Sequence, residues 1–208
     1  MNLDIERIAY SLPAIILGLT LHEYCHALTA YKLGDPTAKN EGRLTLNPIQ
    51  HLDLLGMIFI IFAGFGWAKP VRFNPDNLKH PRRDKALIAA AGPLANLILG
   101  LAGLTLAKIF IPIGRHIPEN FYKVFLNVFL YIGLINLGLF IFNLIPIPPL
   151  DGSHIVFSGL NINAQLEHNL MRYGSLLLFA IIIIQNQANV DILPIGKAIN
   201  AIFKLFFP

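Results

Sequence analysis

Two histidines four residues apart, with a glutamate beside the first, are the side chains here best suited to chemistry: Leu21-His22-Glu23-Tyr24-Cys25-His26. On a helix His22 and His26 lie one turn apart on one face, so two imidazoles can reach a single metal ion. Glu23 points about 100° around from His22, close enough to handle water at the metal without ligating it. The motif sits inside an apolar run from Ala9 to Leu28. Ionisable residues are costly in such a run and are retained there for function. The combination indicates hydrolytic chemistry conducted inside a membrane.

A catalytic zinc takes three protein ligands and leaves one position for water. The candidate third ligand is Asp151, in the stretch Phe142-Asn143-Leu144-Ile145-Pro146-Ile147-Pro148-Pro149-Leu150-Asp151-Gly152. Pro146, Pro148 and Pro149 end the preceding helix, which is expected to leave Asp151 on irregular backbone. An Asp-Gly turn alone also accounts for that pair, and His154, three residues on, is the rival ligand. One zinc per chain is expected, lowering the pKa of its water to roughly 7. Glu23 would take that water's proton and pass it to the leaving amine. His51, His80, His116 and His168 fall in polar connections and are expected to be solvated; Cys25 reads as a small buried thiol.

The elements that must position these groups are apolar runs. Of 208 residues, 55% are hydrophobic and only 13% charged, with a mean hydropathy of +0.59; soluble domains carry about a quarter charged residues. A helical crossing needs about 20 apolar residues. Ala9 to Tyr31, Ala86 to Ile113 and Phe121 to Ile147 qualify, Tyr173 to Gln185 is shorter, and Ile192 to Phe207 is broken by Pro194 and carries two lysines. That last run either spans or lies along the interface. Leu54 to Trp67, with Gly56, Gly64 and Gly66, is too short to span comfortably.

Parity constrains that short stretch. His22 and His26 lie toward the C-terminal end of the first run, and Asp151 follows the third. They can meet only if both helices end on one side, so Leu54–Trp67 must dip in and return. Nine Lys or Arg between Lys32 and Lys85 face an opposite loop offering mainly Arg115. That bias puts the active site on the cytoplasmic side and the N-terminus outside. Gly42–Leu46 and Lys69–Phe73 are expected as short strands flanking the re-entrant segment, one edge being free to capture unwound substrate.

The fold expected is therefore an all-α polytopic membrane protein. It has a three-helix catalytic core, one or two C-terminal helices, and a re-entrant segment with short strands between the first two core helices. Residues 1–208 read as one integral membrane domain, the core spanning about 9–159 and the C-terminal helices about 166–207. Asp4 and Glu6 make the N-terminus acidic, unlike a cleavable signal peptide. A lone cysteine excludes an intrachain disulfide. The formal charge of +4 does not indicate nucleic acid, because the basic residues cluster between apolar runs and not among aromatics.

Together these residues resemble the site-2 protease family of intramembrane zinc metalloproteases. The resemblance rests on His22 to His26, Gly66-Trp67-Ala68-Lys69-Pro70-Val71, Ala91-Gly92-Pro93-Leu94-Ala95-Asn96, and Asn143 through Asp151-Gly152. It extends over roughly residues 12–159 and is closest to the compact prokaryotic branch without a PDZ domain. It implies zinc held by His22, His26 and Asp151, with Glu23 as catalytic base. It also implies that Asn143 lies near the active site, where an amide either binds the developing oxyanion or makes an interhelical hydrogen bond. Asn96 carries the same ambiguity, and Gly92 and Pro93 read as packing or kinking residues. The implied partners are the lipid bilayer and a membrane protein cut within or beside a transmembrane segment. A metal transporter or sensor and a non-cleaving membrane scaffold are the alternatives.

Overall fold

Lipid offers a backbone no hydrogen bonds, so a chain that crosses it must satisfy its own amides, most simply as helix. The computed structural model, which describes residues 5–63, 66–160, 162, 164–188 and 190–208, has eight α-helices among them. They are α1 (Ile5–Lys32), α2 (Thr37–Asn40), α3 (Leu54–Ala63), α4 (Pro81–Ile113), α5 (Glu119–Asn143), α6 (Asp151–Gly159), α7 (Ala164–Ala188) and α8 (Ile195–Phe206). Four stretches are long and apolar enough to cross a membrane: Ile5–Lys32, Pro81–Ile113, Glu119–Asn143 and Gln165–Gln185. The protein is an all-α, multi-pass membrane protein.

Helices α1, α4 and α5 pack against one another and form the core. Their contacts depend on small residues, as helix packing in lipid generally does. A Cβ on Gly103 would stand 2.9 Å from Gly133 Cα, and one on Gly100 would stand 2.9 Å from Leu137 Cγ. The α4 and α5 backbones are therefore nearly in contact, with Leu104 and Leu137 fully buried between them. Substituting Gly103 would force these two helices apart.

The chain on either side of α3 comes back together. Leu52 bridges Ala68 in antiparallel fashion, and Lys69 N–H donates to His51 O at 2.8 Å. The intervening α3 has ten residues, about 15 Å of helix, half a bilayer. Gly64 and Phe65, within this stretch, lie outside the described residues, as does Asp4.

The short strands expected at Gly42–Leu46 and Lys69–Phe73 are not formed; no strand occurs among the described residues. Side chains take the bonds that a ladder would have used. Gly42 turns at φ +71, Arg43 Nη2 donates to Lys69 O, Val71 N–H donates to Glu23 Oε2, and Asn74 N–H donates to Asp35 Oδ2. Residues 69–74 are thus extended but tied to side chains. Asp151 does not lie on irregular backbone either: it opens α6. Gly152 rests on the carbonyls of Leu144 and Ile145, folding α6 back over the end of α5.

The fourth span is longer than its apolar run, because the mixed segment 164–172, which carries Glu167, His168 and Arg172, continues the α7 helix. Its 12 residues leave α8 well short of a crossing. It packs on α5, with Ile199 facing Gly138.

Candidate active site

The site is built where α1, α4 and α6 meet. His22 and His26 lie on one face of α1 and are nearly buried, at 5% and 8% exposure. Asp151, on α6, brings Oδ2 to 3.1 Å from His22 Nε2 and 3.4 Å from His26 Nε2. The two Nε2 atoms are 3.0 Å apart. Among the described residues this is the one His/Cys/Asp/Glu group close enough to hold a metal ion.

The other ring nitrogens fix which atoms face the site. His26 Nδ1 is 2.7 Å from the carbonyl of Ile88, which only accepts, so Nδ1 carries the proton. His22 Nδ1 is 2.6 Å from Asn96 Oδ1. The orientation of Asn96 follows from its other bonds: Nδ2 donates to Gly18 O at 3.1 Å and to Asn136 Oδ1 at 2.9 Å. Asn136 in turn donates through Nδ2 to Ile132 O at 2.9 Å. Two backbone carbonyls thus anchor both amides, and Asn96 must accept from a protonated His22 Nδ1. Each imidazole therefore turns a bare Nε2 lone pair toward the same point as the Asp151 carboxylate. Three acceptors this close need a proton or a metal cation among them, and two imidazoles with a carboxylate match a catalytic zinc donor set.

Asp151 is suited to the charged role. Its place in the first turn of α6 favours negative charge. Gly92 on α4 is the wall: a Cβ there would come within 2.7 Å of His22 Nε2 and nearer still to His26 Nε2.

Glu23 is 7% exposed, and its Oε2 accepts from Val71 N–H at 2.9 Å. The extended 69–74 segment therefore lies directly against it. Asn143 is at the end of α5, with Nδ2 donating to Leu139 O at 3.0 Å; this bond is intrahelical, not the interhelical one considered from sequence. His154, the rival ligand, is outside the cluster. Burial pushes its imidazole pKa down, and its Nδ1 has no partner among the described residues. Cys25 is half-buried and also outside the cluster. His51 departs from expectation: it is fully buried, not solvated, with Nε2 2.7 Å from Thr45 O. His80, His116 and His168 are exposed.

Sequence reading left Asn96 ambiguous and overlooked Asn136. The signal was present, since an asparagine in the middle of the Phe121–Ile147 apolar run needs a partner. The Ile88 carbonyl and the Val71 amide carry no signal of side-chain type.

Residues 10–184 match the profile of Peptidase family M50. The chain belongs to that family. Its resemblance to the site-2 proteases is thereby established, and the relatives agree. The chain is 47% identical to "Putative zinc metalloprotease YwhC" of Bacillus subtilis over 148 residues, 71% of this chain and 67% of that protein. It is 31% identical to "Putative zinc metalloprotease Rip2" of Mycolicibacterium smegmatis, over 72% of this chain and 57% of that one. A "Putative zinc metalloprotease" of Methanocaldococcus jannaschii is 32% identical, over 74% of this chain and 73% of the relative. The chain thus spans little more than half the length of the mycobacterial relative. No solved structure matches it significantly.

Proposed function

We propose that this chain is an intramembrane zinc endopeptidase that cuts a membrane protein within or beside a transmembrane segment. The observation that carries the proposal is the convergence of His22 Nε2, His26 Nε2 and Asp151 Oδ2 beside Glu23, within a bundle of membrane-spanning helices. Membership of a peptidase family and relatives named as zinc metalloproteases support it.

His22, His26 and Asp151 would hold one zinc ion per chain, which when bound supplies Lewis acidity and brings the pKa of a water near 7. Glu23 is the general base: it takes the proton of the attacking water and returns it to the leaving amine. The Val71 amide holds one Glu23 oxygen and so orients the carboxylate. Asn143 Nδ2 has a second hydrogen that Leu139 does not use, and the family resemblance makes it the candidate donor to the developing oxyanion. Apolar surroundings strengthen each of these electrostatic contacts.

In the membrane, α3 serves as a re-entrant segment, supported by its length and by the return of the chain at Leu52 and Ala68. The site then lies on the side of the connection rich in Lys and Arg, which by the positive-inside rule is cytoplasmic, leaving the N-terminus outside. A transporter would place ligands along a pathway, whereas these gather at one end and have a base beside them.

The test is a comparison of cells expressing wild type and Glu23→Gln. New chain ends within membrane-spanning segments should appear only with wild type, while zinc content and substrate binding persist in Glu23→Gln. Equal cleavage by both proteins would rule out the proposed base; binding without cleavage in either would favour a scaffold.

A further inference from the structure

Arg43 is in an unusual position for a cation. It is 6% exposed, its Nη2 donates to Lys69 O, and its Nε is buried without a partner among the described residues. None of the ion pairs among the described residues involves it. A guanidinium so far out of water, satisfied only by a carbonyl, calls for a counter-anion.

A cavity of about 300 Å³ lies beside it, lined by Glu41, Arg43, Gln50, Lys69, Pro70 and Arg72. Three cations against one carboxylate leave a formal surplus of two positive charges. Two planar guanidinium forks and a flexible ammonium are a donor set for a phosphate oxygen cluster.

The surroundings identify the kind of phosphate. The cavity lies in the connection between the ends of two membrane-spanning helices, α1 and α4. Leu46, Ile49 and Leu54, its near neighbours in the chain, are 59%, 77% and 80% exposed. A soluble anion has no use for this apolar surface. A phospholipid uses both parts, its phosphate meeting the cations and its acyl chains meeting the exposed leucine and isoleucine.

We propose that the cavity formed by Arg43, Lys69 and Arg72 binds the head-group phosphate of an anionic phospholipid. Bound lipid would fix Arg43, which holds Lys69 O, and so steady the segment whose Val71 amide supports Glu23. Lipid binding itself stands apart from the proteolytic reading; only this last consequence rests on it.

The chain has a single tryptophan, Trp67, which is 43% exposed and two residues before Lys69. Its fluorescence reports on lipid at the site. The full chain is reconstituted in phosphatidylcholine vesicles containing a minor fraction of brominated phosphatidylglycerol or brominated phosphatidylcholine. Removing two direct cation contacts should reduce local preference for the anionic lipid by about 30-fold. Wild type should therefore be quenched more by the brominated phosphatidylglycerol, and Lys69→Gln/Arg72→Gln nearly equally by both lipids, Arg43 alone remaining. Lys32→Gln/Lys79→Gln removes the same charge outside the cavity and should keep the wild-type preference.

Equal quenching of wild type by both lipids, or equal loss in both double variants, overturns the proposal. So does release of the excess quenching by millimolar inorganic phosphate at fixed ionic strength, which assigns the cavity to a soluble anion. Release by an acidic peptide overturns it in favour of a protein partner. Arg43→Lys, with thermal unfolding confirming the fold, should weaken the preference, because a point-charge ammonium lacks the planar fork that donates to the carbonyl and the phosphate in fixed directions.

Discussion

Gly92→Ala should empty the metal site while leaving the fold intact. The added Cβ would stand 2.7 Å from His22 Nε2 and closer to His26 Nε2. Reaching an ordinary contact of about 3.5 Å requires a displacement of about 0.8 Å. Metal–ligand distances tolerate only about 0.2 Å. The rings cannot swing aside freely, since His22 Nδ1 is held by Asn96 and His26 Nδ1 by Ile88 O. Losing one outer-shell bond of this kind weakens metal binding about 10–100-fold, and here both rings are pushed, so a loss of at least about 100-fold is expected. Helix propensity acts the other way, favouring Ala over Gly by about 1 kcal/mol in a helix interior. Zinc affinity is measured by chelator competition on the detergent-solubilised protein, beside thermal unfolding of the metal-free form. Gly159→Ala is the control, because a Cβ there meets nothing within 4 Å. A Gly92→Ala protein with wild-type zinc affinity would refute the packing of α4 against the imidazoles.

Asn136→Leu, one residue removed from the ring it orients, should lower zinc affinity about tenfold by removing one of the two acceptors that hold Asn96; the same chelator competition checks it. Asp35 is fully buried and accepts bonds from Thr37, Asn74 and Asn77, so Asp35→Ala should cost about 3 kcal/mol or more through orphaned donors, seen as earlier local proteolysis of the 33–37 and 69–77 segments. Burial raises the Asp35 pKa, but these hydrogen bonds prevail and lower it. A depressed folded-state pKa means that its stabilisation is complete above the unfolded aspartate value near 3.9 and is lost as pH falls through the folded one. Acid should therefore loosen this junction in wild type, and Asp35→Asn should remove that part of the pH dependence in hydrogen exchange.

The sequence made the chemistry legible because charge inside an apolar run is expensive. His22, Glu23 and His26 stood out for that reason, while Asp151 was singled out only by parity together with the family resemblance. The long helices were legible from length alone, and the short stretch at α3 from its failure to reach that length. The strands at Gly42–Leu46 and Lys69–Phe73 were not. Their β-like composition describes an extended backbone, and composition does not distinguish a ladder partner from the side chains of Asp35, Glu23 and Arg43 that bind it. His51 was misread because a polar neighbourhood in sequence was taken for exposure, whereas the chain closes over it. The partners that set the histidine tautomers include a backbone carbonyl at Ile88, which no residue pattern announces.

The most direct test of the central claim is the metal content of the purified chain, prepared without chelators, beside Asp151→Asn and His154→Ala. About one zinc per chain in wild type and in His154→Ala, and its loss in Asp151→Asn, is the expected result for a catalytic three-ligand site. Wild type without bound zinc, or Asp151→Asn retaining it undiminished, would contradict the proposed centre.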